Sequence, residues 1–257
     1  MDLGLTGREA LVLGGSSGIG LATAAILAAE GARVTVAARD EARLRAAAES
    51  VGHGAAAVPC DLADPEAVAA LAARWEGRPL HALVVASGGS RRSAFENLTD
   101  ADWLANYDLN LLGPARAVRA LLPALRLGAP GSRVVLLGAV SARQPTAHQA
   151  VSNAHKGALL GLAKTLALEL APEGIGVNAV NPGRALTPLW TNRAAAMARD
   201  EGTTEAAVLA RVASDIPMAR LGTAEEVSRV VAFLASPVAA YVTGQAVAVD
   251  GGLTRGV

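Results

Sequence analysis

The 257-residue sequence has one cysteine, three methionines, four histidines, two lysines and seven aromatic residues. The lone Cys60 excludes an internal disulfide framework and a cysteine-built zinc site. With 23 basic and 23 acidic side chains the net charge is zero, and no Lys/Arg tract stands out. The basic footprint of a nucleic-acid binder is therefore missing. No apolar run reaches the roughly 18 residues of a membrane span. The start, MDLGLTGREA, carries an acid where a secretory signal carries basic residues. These absences leave a cytoplasmic globular protein as the expectation, with no metal site and with neither nucleic acid nor membrane as partner.

What is abundant is alanine: 59 residues, within a chain that is 52% apolar. Alanine, valine and leucine must build the core. At roughly 100–200 residues per domain, the length suits one large domain. Short aliphatic runs at 10–13, 34–37, 56–58, 83–85, 134–137, 177–180 and 246–249 read as strands. Between them, alanine-rich stretches near 19–30, 41–50, 65–75, 100–126, 150–171 and 223–235 read as helices. Asp64-Pro65 supplies an N-cap oxygen and a preset φ, and Thr223 with Glu226 has capping-box spacing. The strand runs are apolar throughout, as burial on both faces of a parallel sheet requires. The expectation is a doubly wound α/β domain over residues 1–257, with about seven parallel strands. Residues 188–215 break the rhythm as short helices and are expected to form a lid-like insertion, since such sheets bind ligands at the carboxyl ends of their strands.

The strongest motif is Leu11-Val12-Leu13-Gly14-Gly15-Ser16-Ser17-Gly18-Ile19-Gly20, which leads from the first strand into a helix. Gly14 permits a tight exit, Gly18 lets backbone approach a pyrophosphate, and Gly20 allows helix and sheet to pack closely. The helix N-terminus offers N–H groups to phosphate. The same residues satisfy G-x-S-x-G, the nucleophile elbow of serine hydrolases. That elbow normally follows several strands, whereas only 15 residues precede Ser16.

The turn resembles the TGxxxGxG fingerprint of the short-chain dehydrogenase/reductase family, with Leu13 where threonine is usual. Asn110 in DLNLLG resembles the family's helix asparagine. Lys156, with the GALLGLAKTLALELAPEGIGVNAVNPG that follows, resembles the catalytic helix and the next strand. Pro182-Gly183 with Thr187 resembles the nicotinamide loop, and VTGQAVAVDGG the last strand. The resemblance covers nearly the whole chain and is nearest to 3-oxoacyl-carrier-protein reductases. It implies a Rossmann-type fold, hydride transfer between a nicotinamide and a ketone or alcohol, and a homotetramer or homodimer in which helices 100–126 and 150–171 pair between subunits. It also implies that Gly14, Ser16, Ser17, Gly18, Ile19, Gly20, Asp61, Leu62, Ala86, Gly88, Lys156, Pro182, Gly183 and Thr187 hold the cofactor.

Ala38 occupies the position where a carboxylate would bind the ribose 2′-OH of NAD, and Arg39 follows it. A forked guanidinium suits a 2′-phosphate, so NADP(H) is preferred over NAD(H). The catalytic helix departs from the family. Ser152 stands where the tyrosine of YxxxK is expected, and Ala139 where its partner serine is expected. A serine hydroxyl is a far weaker acid than tyrosine, whose pKa is near ~10. The expected substitute proton source is water, relayed beside Asn110, or His155, with His148 and Ser141 as further residues in reach. Asn110, Ser152, Lys156 and His155 therefore form the expected catalytic set. Trp190 and Leu189 predict an apolar pocket wall, and Arg184 or Arg193 a contact to an anionic group. The alternative function is a fold relative without redox turnover, binding nucleotide or acyl ligand as a sensor, partner subunit or isomerase/lyase.

Overall fold

The computed structural model describes residues 2–89 and 92–256. Seven parallel strands form one sheet: β1 (Glu9–Leu13), β2 (Arg33–Ala38), β3 (Ala56–Pro59), β4 (Ala82–Val85), β5 (Arg133–Leu137), β6 (Gly176–Pro182) and, last in the chain, Ala246–Val249. Their spatial order is β3-β2-β1-β4-β5-β6 followed by 246–249. Chain direction across the sheet thus reverses between β1 and β4, which opens a crevice at the carboxyl ends of those strands. Each run expected from sequence is present, most of them extended by a residue or two, β6 by three and the last not at all.

Helices cover both faces, as uninterrupted apolar strands demand. On one face lie α1 (Gly18–Ala29) and α2 (Glu41–Val51); on the other, α3 (Pro65–Ala73). Leu27, Val36 and Leu44 are fully buried on the first side, and Leu71, Leu83 and Leu121 on the second. Asp64 caps α3 by accepting from Glu66 N–H at 2.9 Å.

The expected helix 100–126 is two helices, α4 (Asp100–Tyr107) and α5 (Gly113–Leu127), joined by a single wide π-type turn over Asp108–Leu112. Pro114 explains the break, because it lacks the N–H that would close on the Asn110 carbonyl in an α-helix. The long helix α6 (Ala150–Leu170) follows β5. Beyond β6 come a two-residue strand β7 (Ala185–Leu186), α7 (Pro188–Glu201), α8 (Glu205–Ser214), a second short strand β8 (Gly222–Thr223), α9 (Ala224–Leu234) and then β9 (Ala246–Val249). β7 and β8 pair in parallel as a separate ribbon. Neither was expected, since two residues carry no periodicity. The Thr223–Glu226 capping box at the start of α9 is complete, with bonds of 3.2 and 2.8 Å. The segment 188–215 closes its own small core from Ala194, Ala198, Val208 and Val212. Among the described residues, no helix is long and apolar enough to cross a membrane, and no cluster of three metal-ligating side chains exists.

Candidate active site

A cleft of about 870 Å³ runs along the carboxyl ends of the strands, from β2 and β3 at one end to α7 and α8 at the other. The glycine turn forms its floor. Gly14 sits at φ +79°, in the left-handed region, and a Cβ there would lie 2.8 Å from the Ala86 carbonyl carbon and the Ser87 nitrogen. A Cβ on Gly20 would collide with the Gly14 carbonyl oxygen, so the turn tolerates no larger residue at either place. Ser17 is the N-cap of α1, yet its side chain makes no capping bond and the first turn holds no acid. The helix therefore presents its first N–H groups and the positive end of its dipole to the cleft beside Ser16, Gly18 and Ile19. This cradle fits the pyrophosphate of a dinucleotide.

At the β2 end, Arg39 lines the cleft together with Arg43, which the sequence reading missed. Asp40 caps α2, accepting from Arg43 N–H at 3.0 Å, and among the described residues no carboxylate pairs with Arg39. Asp61 and Leu62 line the same end; Asp61 also accepts from Ala63 N–H at 3.0 Å. Ala86 and Gly88 follow β4, while Pro182, Gly183 and Thr187 line the opposite wall. Ser87 Oγ is buried without a hydrogen-bond partner, a polar atom aimed at nothing within the protein.

The chemical end is built by α6 and the wide turn. Ser152 and Lys156 lie one helical turn apart, both buried and both lining the cleft. Lys156 Nζ donates to the Leu137 carbonyl at 2.7 Å and pairs with no carboxylate among the described residues. Burial of this ammonium pushes its pKa down to about 8. Asn110 donates through Nδ2 to the carbonyls of Gly89, at 2.9 Å, and Asn106, at 3.2 Å. Those bonds orient the amide and leave Asn110 Oδ1 buried and unpartnered. The missing side chain of Gly88 lets both groups approach the main chain: a Cβ there would sit 3.2 Å from Asn110 Oδ1 and 3.2 Å from Lys156 Nζ, closer than side chains normally pack. A donor and an unsatisfied acceptor thus meet against the same stretch of main chain where it lines the cleft.

Not every expected residue joins this group. His155 turns away from the cleft: its Nδ1 lies 2.8 Å from Asn106 Oδ1, and its ring meets Trp103 and Tyr107 edge-on. Its position three residues after Ser152 puts it beside that face, and the α4 aromatics draw the ring to the far side. Burial among them lowers its pKa. His148 stands before α6 at φ +61° and does not line the cleft, whereas Ser141, Ala139 and Thr146 do. No described residue lining the cleft is a histidine, so Ser16 has no base to make it a nucleophile. Asn106 was also overlooked, although its spacing of four from Asn110 signals a shared helix face. Asn106 Nδ2 donates to Gly89 O at 3.2 Å, so His155, Asn106, Gly89 and Asn110 form one chain of bonds. Leu189, Trp190, Arg193 and Met197 of α7 line the outer wall, with Val212 of α8 and Arg184.

Comparison with known proteins identifies relatives of this sequence and fold. Residues 14–254 match the family described as enoyl-(acyl carrier protein) reductase. The chain is 34% identical over 249 residues to the 3-oxoacyl-[acyl-carrier-protein] reductase of Escherichia coli (strain K12), covering 96% of this chain and 97% of that one. The structure of L-sorbose reductase from Gluconobacter frateurii, complexed with NADPH and L-sorbose, superposes with a TM-score of 0.95 at 33% identity, with all of both chains covered. An NADPH-bound short chain oxidoreductase from Pseudomonas aeruginosa PAO1, containing an atypical catalytic center, superposes at 0.89 with 36% identity over 97% and 98% of the two chains. With its glycine turn, asparagine-bearing helix and buried lysine in family order, the chain belongs to the short-chain dehydrogenase/reductase family.

Proposed function

We propose that this protein is an NADP(H)-dependent oxidoreductase that interconverts a ketone and its alcohol, with a proton route rebuilt around Lys156. The observation that carries the reading is the convergence of Lys156 Nζ and Asn110 Oδ1 beside Gly88 in the cleft wall, with Ser152 one helical turn from Lys156. A nicotinamide nucleotide supplies the hydride when bound. Gly14 to Gly20 hold its phosphates, Arg39 with Arg43 its 2′-phosphate, and Asp61 with Leu62 flank the adenine end. Ala86, Gly88, Pro182, Gly183 and Thr187 wall the remainder. Lys156 holds the nicotinamide ribose through one of the two ammonium hydrogens not given to Leu137.

In a tyrosine enzyme the phenol protonates the carbonyl oxygen. Here Ser152 orients that oxygen, and the proton descends from the Lys156 ammonium through a water accepted by Asn110 Oδ1. A pKa of about 8 suits this task, because proton transfer is most effective when donor and working pH are close. His155 acts at one remove: it braces Asn106, which with Asn110 fixes the Gly89 carbonyl. It positions and does not itself donate. Residues 1–257 work as one domain in this reading, with 188–215 as the lid. The family resemblance extends it to a cytoplasmic homotetramer, supported by the exposed apolar side chains Phe95, Leu104 and Leu168.

The test is NADPH oxidation against a panel of ketones and β-keto thioesters, with Lys156→Ala as the control. Turnover above the control is expected. Binding of NADPH without turnover would favour the second reading, a nucleotide-binding relative without redox activity. The observation on its side is that Ser152 and Ala139 replace both hydroxyl-bearing side chains of the usual centre.

A further inference from the structure

The wall opposite the glycine turn carries a concentration of positive charge that the hydride chemistry does not require. In a chain of zero net charge, Arg92, Arg184, Arg193 and Arg211 all line the same end of the cleft. Two of them are already neutralised. Arg184 Nη1 donates to Asp215 Oδ2 at 2.8 Å and also to the Val212 carbonyl. Arg211 grips both oxygens of Glu201 at 2.8 and 2.7 Å. Arg92 and Arg193 have no carboxylate partner among the described residues. Arg193 is half-buried, with its guanidinium carbon 4.9 Å from the centre of the Trp190 ring.

Arg92 is exposed and Arg193 half-buried, and two guanidiniums that line one cleft without a carboxylate partner repel each other. Burial, then the charge of Arg92, pushes the pKa of Arg193 down; burial, then Arg184, does the same to Arg92. A protein keeps such a pair where a ligand anion completes it. The cofactor's phosphates are served elsewhere. Arg39 and Arg43 lie at the β2 end and the α1 N-terminus at the centre, whereas Arg92 follows β4 and Arg193 sits on α7. The same cleft is also lined by apolar or neutral side chains: Leu189, Trp190, Met197 and Val212, with Ser141 and Thr146.

We propose that Arg92 and Arg193 form an anion clamp, and that the substrate is a ketone whose short carbon skeleton ends in a carboxylate or phosphate. This rests on the carbonyl-reductase reading above, and the pair sets substrate choice while Lys156 and Ser152 face the carbonyl. A free keto acid is then preferred to its ester or to an uncharged ketone.

The test compares kcat/KM of the NADPH-saturated full-length protein for 5-oxohexanoate and for methyl 5-oxohexanoate, with a phosphate-terminated ketone in a parallel arm. An acid-to-ester preference of about tenfold or more is expected, falling by about tenfold in Arg92→Gln and in Arg193→Gln. Arg211→Gln, whose native partner is Glu201, leaves that ratio in place. The parallel arm separates carboxylate from phosphate as the preferred anion. Equal use of acid and ester, or variants that weaken NADPH binding while keeping the ratio, would overturn the clamp. Thermal stabilisation of the NADP⁺-loaded protein by hexanoate, against hexanamide, needs no turnover. If no ketone is reduced yet hexanoate stabilises the parent and not the Arg92→Gln/Arg193→Gln double variant, the redox reading fails and the clamp stands. If hexanoate does nothing in the parent, the clamp itself is wrong.

Discussion

The two ends of the cleft are built from different materials. The nucleotide end is made of backbone: a left-handed Gly14, a Gly20 in contact with the Gly14 carbonyl, and the open first turn of α1. The chemical end is made of side chains: a buried lysine, an asparagine with a free acceptor, and a serine in place of a phenol. Backbone geometry allows almost no substitution, because a single added carbon meets main-chain atoms. Side-chain chemistry can be redistributed, provided that a donor and an acceptor still meet at the carbonyl. One end therefore preserves the family pattern while the other departs from it.

The sharpest way to break this comparison is Lys156→Met. Reductase activity should fall by about a hundredfold or more, the usual scale for losing an acid–base group, read as kcat/KM with the best ketone. Folding should move the other way. The lysine has a pKa of about 8 in the folded protein against an ordinary 10.5, a burial penalty of about 3 kcal/mol. Part of it is offset by the lost bond to Leu137, so the variant should gain about 1–2 kcal/mol in denaturant unfolding. A loss of stability would show that the ammonium is better paired than its surroundings suggest.

Ser152→Tyr probes the same end from the opposite direction and should raise activity by about tenfold or more, because it restores a phenol next to the lysine. No gain would mean that the proton route through Lys156 is already sufficient. Gly20→Ala tests the backbone end. Overpacking against the Gly14 carbonyl should cost about 1–3 kcal/mol and weaken NADPH binding at least tenfold, measured by titration calorimetry. Arg39→Ser should weaken NADPH by about tenfold and leave NADH nearly unaffected, since one charge-assisted contact to the 2′-phosphate is lost.

The pH profile gives the gentlest test. The working form is the ammonium, present below about 8, so kcat/KM for reduction should decline above that value, by about tenfold per unit at the limit. Stability shifts oppositely. The folded chain releases this proton more readily than the unfolded chain, so the burial penalty is full below about 8 and fades as pH rises toward 10.5. An activity profile flat to pH 10 would remove Lys156 from the proton route.

Much of this was legible in the sequence because it depends on local rules. Seven apolar runs gave seven strands, and the caps at Asp64 and Thr223 formed as their spacing required. The break at Asp108–Leu112 was written in Pro114, but only once Asn110 is considered as the partner of its missing N–H. The β7–β8 ribbon was invisible, since its pairing joins residues 185–186 to 222–223 across two helices. Within the site, positions on a backbone motif could be read and the direction of side chains could not. His155 has the right register for the cleft, yet packing against Trp103 and Tyr107 decides where its ring points. Arg92 carried no signal at all, because a charged loop residue gains meaning only from the neighbour it meets.

The placement of the three tryptophans has a practical consequence. Trp75 is buried beneath the sheet, Trp103 packs on the α4 face, and Trp190 alone lines the cleft. Its indole lies under the Arg193 guanidinium, so it reports charge neutralisation there as well as the arrival of a fluorescent nicotinamide. A chain with so few aromatic residues thus contains its own optical probe: energy transfer from one indole should follow nucleotide binding, and its emission maximum should follow occupation of the outer wall, in a protein that needs no label.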